Sequence, residues 1–210
     1  MIAFHGDPKV KAKYLSRLKA HAKADEIQHG YYWENGKGCA VGCTIHSNSH
    51  KAYEKELGLP EWLARLEDRL FEGMGNGEAK KFPIQFLSSI PVGMENFDLV
   101  KWKFSAFLMK ENIKRVEGLK ITKDLKEQVV SAIQGVLTVH ENAIDSGVWN
   151  GSAADSAADS ADSAADSAYS AARLAYSAAR LAADSAYSAA DSAAYKRYAK
   201  KLIQLLKAAK

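Results

Sequence analysis

"SAADSAADSADSAADSAYSAARLAYSAARLAADSAYSAADSAAY", residues 152–195, decides the fold class. Its Asp, Tyr and Arg residues obey a spacing rule. Asp155, Asp159, Asp162, Asp166, Tyr169, Arg173, Tyr176, Arg180, Asp184, Tyr187 and Asp191 follow one another by threes and fours, each with Ser or Leu directly after it. Steps of three and four return to the same face of an α-helix, and alanine is the strongest helix former. No Gly or Pro follows Gly151. Ser152 with Asp155 makes a capping-box-like start, and the early aspartates suit the positive end of a helix dipole.

Residues 196–210 carry six Lys or Arg and no acid, which suits the negative end of that dipole. An unbroken helix across this section would exceed roughly 60 Å at about 1.5 Å per residue. A helical hairpin is the alternative, reversing near Asp162-Ser163 or Asp184-Ser185, where short polar side chains cap. Alanine faces offer little to bury, so close association is expected, either on the preceding residues or with a second copy of the chain. The section reads as a packing element or spacer, or as a recognition surface carrying Tyr169, Arg173, Tyr176 and Arg180.

Upstream, the pattern stays helical. Asp7-Pro8 is a helix start, with Asp as cap and Pro in the first turn, and Val10, Tyr14, Leu18 and His21 follow at helical spacing. Lys9, Lys11, Lys13, Arg17, Lys19 and Lys23 form the solvated face of that helix. Residues 50–73 read as two helices divided at Gly58-Leu59-Pro60, the second with an apolar stripe of Trp62, Leu63, Leu66, Leu70 and Phe71. Pro83 and Pro91 break the aromatic-rich stretch from Phe82 to Phe107 into short helices and turns. Gly118 between Val116 and Leu119-Lys120-Ile121 suggests a short hairpin over Lys114 to Lys123, and Leu125 to Ile144 reads as a further helix. The predicted fold is therefore mostly α, a helical single domain ending in an Ala-rich long helix or helical hairpin. Residues 1–150 form the globular part and residues 151–210 the Ala-rich section with its basic end.

Composition narrows the function classes. The chain has 210 residues, 47% of them hydrophobic and 10% aromatic, which is enough for a core. The net charge of +4 is mild, so a globally basic nucleic-acid surface is not indicated, and no sequence-specific nucleic acid is expected. The start lacks a long apolar run and no stretch approaches the roughly 20 apolar residues of a membrane span. No membrane association and a cytoplasmic location are the expectation. Two cysteines four residues apart do not make a secreted disulfide framework, which agrees with a reducing compartment.

Both cysteines lie in "GKGCAVGCTIHSNSH", residues 36–50. On a helix Cys39, Cys43, His46 and His50 align along one face, and all four are zinc-ligand types. Four ligands strung over three turns of a straight helix cannot converge on one tetrahedral ion, so a metal site needs a break near Gly42 or Asn48. If Val41 to Ile45 is a strand, His46 points away from the thiols. Zinc or iron would suit the ligands, while small buried thiols beside histidines is the plainer reading. The same residues allow a cysteine nucleophile with His46 or His50 as base. Separately, the turn Gly36-Lys37-Gly38 can offer backbone N–H groups and Lys37 to a phosphate, with Tyr31, Tyr32 and Trp33 upstream as stacking planes. It is not a P-loop.

"WENGKGCAVGCTIH", "ELGLPEWLARLEDRLFEGM" and the Ala-Ser-Asp-Tyr-Arg repeat ending "YKRYAKKLIQLLK" together resemble an uncharacterised family of bacterial and phage proteins. The tail is also loosely similar in style to Ala-rich helical immunity proteins. That family has no assigned chemistry, so the resemblance implies an origin and transfers no catalytic residue. The function expected from the sequence is a non-enzymatic binding or accessory protein, with Trp33, Lys37 and Gly38 holding a small anionic, nucleotide-like ligand, or with a protein as partner. Two other classes remain open: a metal- or thiol-dependent enzyme built on Cys39, Cys43, His46 and His50, and a structural protein that forms homo-oligomers through its C-terminal helices.

Overall fold

Asp7-Pro8 begins the first helix, α1 (Pro8–Lys23), and the Asp7 carboxylate accepts the Lys9 N–H at 2.8 Å. Tyr14, Leu18 and His21 are its buried side. The computed structural model describes residues 1–30, 32–159 and 184–209. These divide into two compact units, one formed by Met1–Phe97 with Ser188–Lys210 and the other by Asp98–Tyr187. The protein is mostly α-helical, as the spacing predicts.

In the first unit a two-stranded ribbon, β1 (Trp33–Glu34) and β2 (Lys37–Gly38), precedes α2 (Ala40–Ile45), α3 (Ala52–Leu57) and α4 (Glu61–Gly73). Asn35 and Gly36 turn the ribbon with φ of 50° and 82°. Asn-Gly is the pair that tolerates positive φ at both turn positions, and it sets the ribbon's register. The α3 helix ends on Gly58 in the left-handed conformation, and Pro60 caps α4 in extended backbone. That matches the expected division at Gly58-Leu59-Pro60. A short turn of helix, α5 (Asn76–Ala79), leads to α6 (Phe82–Ser89), which carries Pro83 in its first turn. The α1 helix packs on α2 and α6, and α4 packs on α2, α3 and α6. Leu18, Tyr53, Leu57, Leu63, Phe86 and Leu87 are fully buried among them.

The second unit contains α7 (Phe97–Glu117, entering from the first unit at Phe97), α8 (Lys123–Ser146) and a helix over 151–159, here α9. Lys110 and Glu141 join α7 to α8 at 2.8 Å, and Trp149 stacks against Trp102 with His140 beside it. The hairpin expected over Lys114 to Lys123 is absent. The Gly118 N–H continues the helical pattern to the Lys114 carbonyl at 3.3 Å, and α8 starts at Lys123. Leu119 and Ile121 are exposed at 48% and 36%, so a strand there would gain little from burial. Among the described residues the ribbon at Trp33–Gly38 is the only sheet, joined by a single parallel bridge between Ile27 and Gly38.

Of the Ala-rich section, α9 and α10 (Asp184–Ala208) are helical. Ser185 falls inside α10. The reversal expected at Asp162-Ser163 and the face of Tyr169, Arg173, Tyr176 and Arg180 lie outside the described residues. In the first unit α10 packs through Ala194, Ala199, Leu202 and Leu206, which are at most 4% exposed. Its Tyr195 ring lies against Gly73 at the end of α4, where a Cβ would strike the ring. No helix among the described residues is long and apolar enough to cross a membrane.

Candidate functional site

Two glycines of the segment from Gly36 to His50 have a packing reason. A Cβ on Gly38 or on Gly42 would collide with the Tyr32 carbonyl oxygen, because the chain entering β1 crosses directly over α2. That carbonyl accepts the Cys39 N–H at 3.1 Å. The Gly38 N–H goes to the Glu26 carbonyl at 3.1 Å and the Gly42 N–H to Cys39 Sγ at 3.4 Å. The donors expected to cradle a phosphate at Gly38 are thus engaged within the protein. The ribbon register pairs Trp33 with Gly38 and Glu34 with Lys37. Side chains alternate along a strand, so Trp33 and Lys37 stand on opposite faces of the ribbon. Of the three residues expected to hold an anionic ligand, the structure therefore brings Trp33 and Gly38 to one face and Lys37 to the other.

The α2 helix stops at His46, whose left-handed backbone (φ 53°, ψ 43°) carries its N–H back to the Gly42 carbonyl at 2.8 Å. The break that a metal site would need near Gly42 or Asn48 falls at His46 instead, with Gly42 inside the helix. Cys43 Sγ donates to the carbonyls of Gly38 and Glu26 at 3.3 and 3.5 Å. His46 faces α1. His50 pairs with Asp68 at 3.2 Å, and Cys39, Asp68, Gly30, Tyr32 and Glu72 line a cavity of about 150 Å³. Among the described residues no group of three His, Cys, Asp or Glu side chains is set to hold a metal ion. Burial, followed by the Asp68 carboxylate, raises the Cys39 thiol well above its ordinary pKa. Burial pushes Cys43 up to about 12. Both thiols are therefore protonated at neutral pH, unlike the thiolate a cysteine nucleophile requires.

What His46 meets is a chain of hydrogen bonds. Its Nε2 lies 2.7 Å from His21 Nε2, and His21 Nδ1 lies 2.6 Å from Glu26 Oε2. His21 is 9% exposed, on the inner side of α1. Glu26 is placed by its backbone, whose N–H bonds the His21 carbonyl at 3.0 Å after a left-handed Asp25. His46 is the exposed member. Trp33 stacks on the His46 ring with centroids 4.2 Å apart and planes within 9°, while His21 meets both rings edge-on. Four elements thus supply one group each: α1, the loop after it, β1 and the end of α2.

Electrostatics at the site favour a neutral outer histidine. Burial, then the Arg17 guanidinium and His21, hold the His46 imidazole below its ordinary pKa. Arg17 lies one helical turn before His21, donates to the Thr44 carbonyl at 2.9 Å and rests over the Tyr14 ring. Tyr14 in turn donates to Glu56 at 2.6 Å. With the carboxylate of Glu26 accepting Nδ1–H of His21, Nε2 of a neutral His21 is an acceptor. The proton in the 2.7 Å contact then comes from His46 Nε2, which leaves His46 Nδ1 as a base.

The sequence marks His46 and Trp33 but not their partners. His21 stands in the apolar stripe of α1, and Glu26 is five residues downstream across a turn. Neither spacing is a motif. The ribbon did have a signal, Asn35-Gly36 between Trp33-Glu34 and Lys37-Gly38. Scans of the chain against family models, curated proteins and solved structures find no match.

Proposed function

We propose that the protein is a general acid–base catalyst acting through Glu26, His21 and His46. A buried imidazole hydrogen-bonded at both ring nitrogens, with its outer partner open to solvent, carries this reading. His46 Nδ1 takes a proton from the substrate or from a water. Its Nε2 proton passes to His21, and the resulting imidazolium is held against the Glu26 carboxylate. The logic is that of a base oriented by a third group, with a second imidazole as the outer member. Trp33 fixes the plane of the His46 ring by stacking. Arg17 beside His46 favours a small anionic substrate, the ligand class expected from the sequence, with Trp33 common to both sets and Lys37 and Gly38 left out.

The test is hydrolysis of nitrophenyl esters and phosphate esters by the parent protein and by His46→Gln, His21→Gln and Glu26→Gln. Turnover is expected to rise with pH as His46 loses its proton, with the midpoint below about 6.5. Loss of either histidine lowers the rate by about a hundredfold or more, the scale of a general base. Glu26→Gln lowers it less and shifts the pH profile. A rate unaffected by His46→Gln and His21→Gln, or no turnover of any ester together with independent titration of the two rings by NMR, refutes the proposal.

A further inference from the structure

A second surface of the first unit goes beyond that reading. Between α6 and α10 runs an open trough of about 930 Å³, whose lining includes Lys81, Lys196, Lys200 and Lys207 and a single carboxylate, Glu78. Glu78 is paired with Lys196 at 2.9 Å, so the lining holds four ammonium groups against one carboxylate. The apolar part of the lining is Ile84 from α6 and Ile203 from α10, both half-buried, over the fully buried Phe82. Lys196, Lys200, Ile203 and Lys207 are separated by four, three and four residues, so they share one face of α10 and extend over about 16 Å.

We infer that this trough is the docking site for an acidic amphipathic helix of a partner protein. The distribution of charge selects that occupant. An amphiphile with one anionic headgroup needs its cations clustered at one end, whereas these are spread along about three helical turns. A nucleic-acid backbone matches spread cations but leaves the apolar floor uncovered. A helix with an apolar stripe flanked by Asp or Glu satisfies both, in the helix-in-groove mode, and charge complementarity fixes its register.

The experiment is fluorescence anisotropy with a labelled peptide of about four helical turns, leucine along one stripe and glutamate on both flanks. A lysine-flanked counterpart, dodecanoate and a short single-stranded oligonucleotide serve as competitors. The glutamate peptide is expected to bind, to weaken as salt rises from about 0.05 to 0.5 M, and to lose at least about tenfold in affinity in Lys200→Glu with Lys207→Glu. Ile203→Gln, which leaves the charge unchanged, weakens it as well. Circular dichroism melts of each variant confirm that the fold is retained. Absence of binding by the glutamate peptide, binding unchanged by the variants, or equal or tighter binding of the lysine-flanked peptide, dodecanoate or the oligonucleotide overturns the inference.

Discussion

Replacing Glu67 by Gln should make the protein more stable in mild alkali and barely change it in mild acid. Glu67 is fully buried in α4, accepts the Tyr53 hydroxyl at 2.6 Å through Oε2, and has no hydrogen-bond partner at Oε1 among the described residues. Burial pushes its pKa from 4.5 up to about 8, against the opposing effect of the Tyr53 hydrogen bond and with Asp68 adding to the rise. The folded protein therefore holds a proton that the unfolded chain has released across that whole window. Stability falls with pH wherever the native state binds more protons, so this contribution is intact below about pH 4.5 and is lost as pH climbs through about 8. A tenfold change in proton affinity between the folded and unfolded chain corresponds to about 1.36 kcal/mol. Integration from about pH 5 to pH 8 then gives a loss of about 3–4 kcal/mol from this one group.

Gln keeps the volume and the acceptor for Tyr53 but never ionises. Urea unfolding at constant ionic strength, followed by circular dichroism at several pH values in that window, should give Glu67→Gln a nearly flat profile. At about pH 8 it should exceed the parent by about 3 kcal/mol. Tyr53→Phe removes the donor that favours the charged form, so it should extend the parent's loss to higher pH. Parallel profiles for parent and Glu67→Gln would refute the reasoning, since the proton would then reside elsewhere.

Gly42→Ala should cost about 2–4 kcal/mol in the same assay, because a Cβ there meets backbone at Tyr32 and no rotamer relieves it. Lys37→Ala should change stability by less than about 0.5 kcal/mol and leave the Trp33–His46 stack intact, as judged by Trp fluorescence quenching. Reaction of Cys39 and Cys43 with a disulfide reagent should be at least about a hundredfold slower in the native protein than in denaturant, both being buried and protonated. Fast labelling of either one in the native state would contradict its placement.

Periodicity made the helices legible because each depends on residues close in sequence. Asp7-Pro8, Gly58 and Pro60 act through their own backbone conformations, so their effect is local. The hairpin expected around Gly118 failed for a related reason. A glycine between β-branched residues signals a turn only when both flanks have a face to bury, and Leu119 and Ile121 do not. Pro91 likewise limits α6 but gives no measure of the helix after it, and α7 runs unbroken for 21 residues.

The candidate site was legible only in pieces, and the segment from Gly36 to His50 explains why. Its glycines suggest an anion cradle because small residues often mark a ligand's close approach. Here what approaches is the protein's own backbone at Tyr32, and no property of residues 36–50 reveals which chain segment will cross them. The cysteines suggest a ligand set by their spacing, yet their thiols are consumed in backbone contacts of the same crossing. The histidines escape: His50 pairs with Asp68, and His46 turns its ring toward α1 where the helix ends. Its partner His21 looks like a core position by spacing, and it is one. The same burial that makes it structural also fixes its tautomer between Glu26 and His46, and a base held in this way can accept and return a proton without moving. Under the proposed function a core position and a proton-transfer position are one residue, and helical periodicity identifies the first role while it conceals the second.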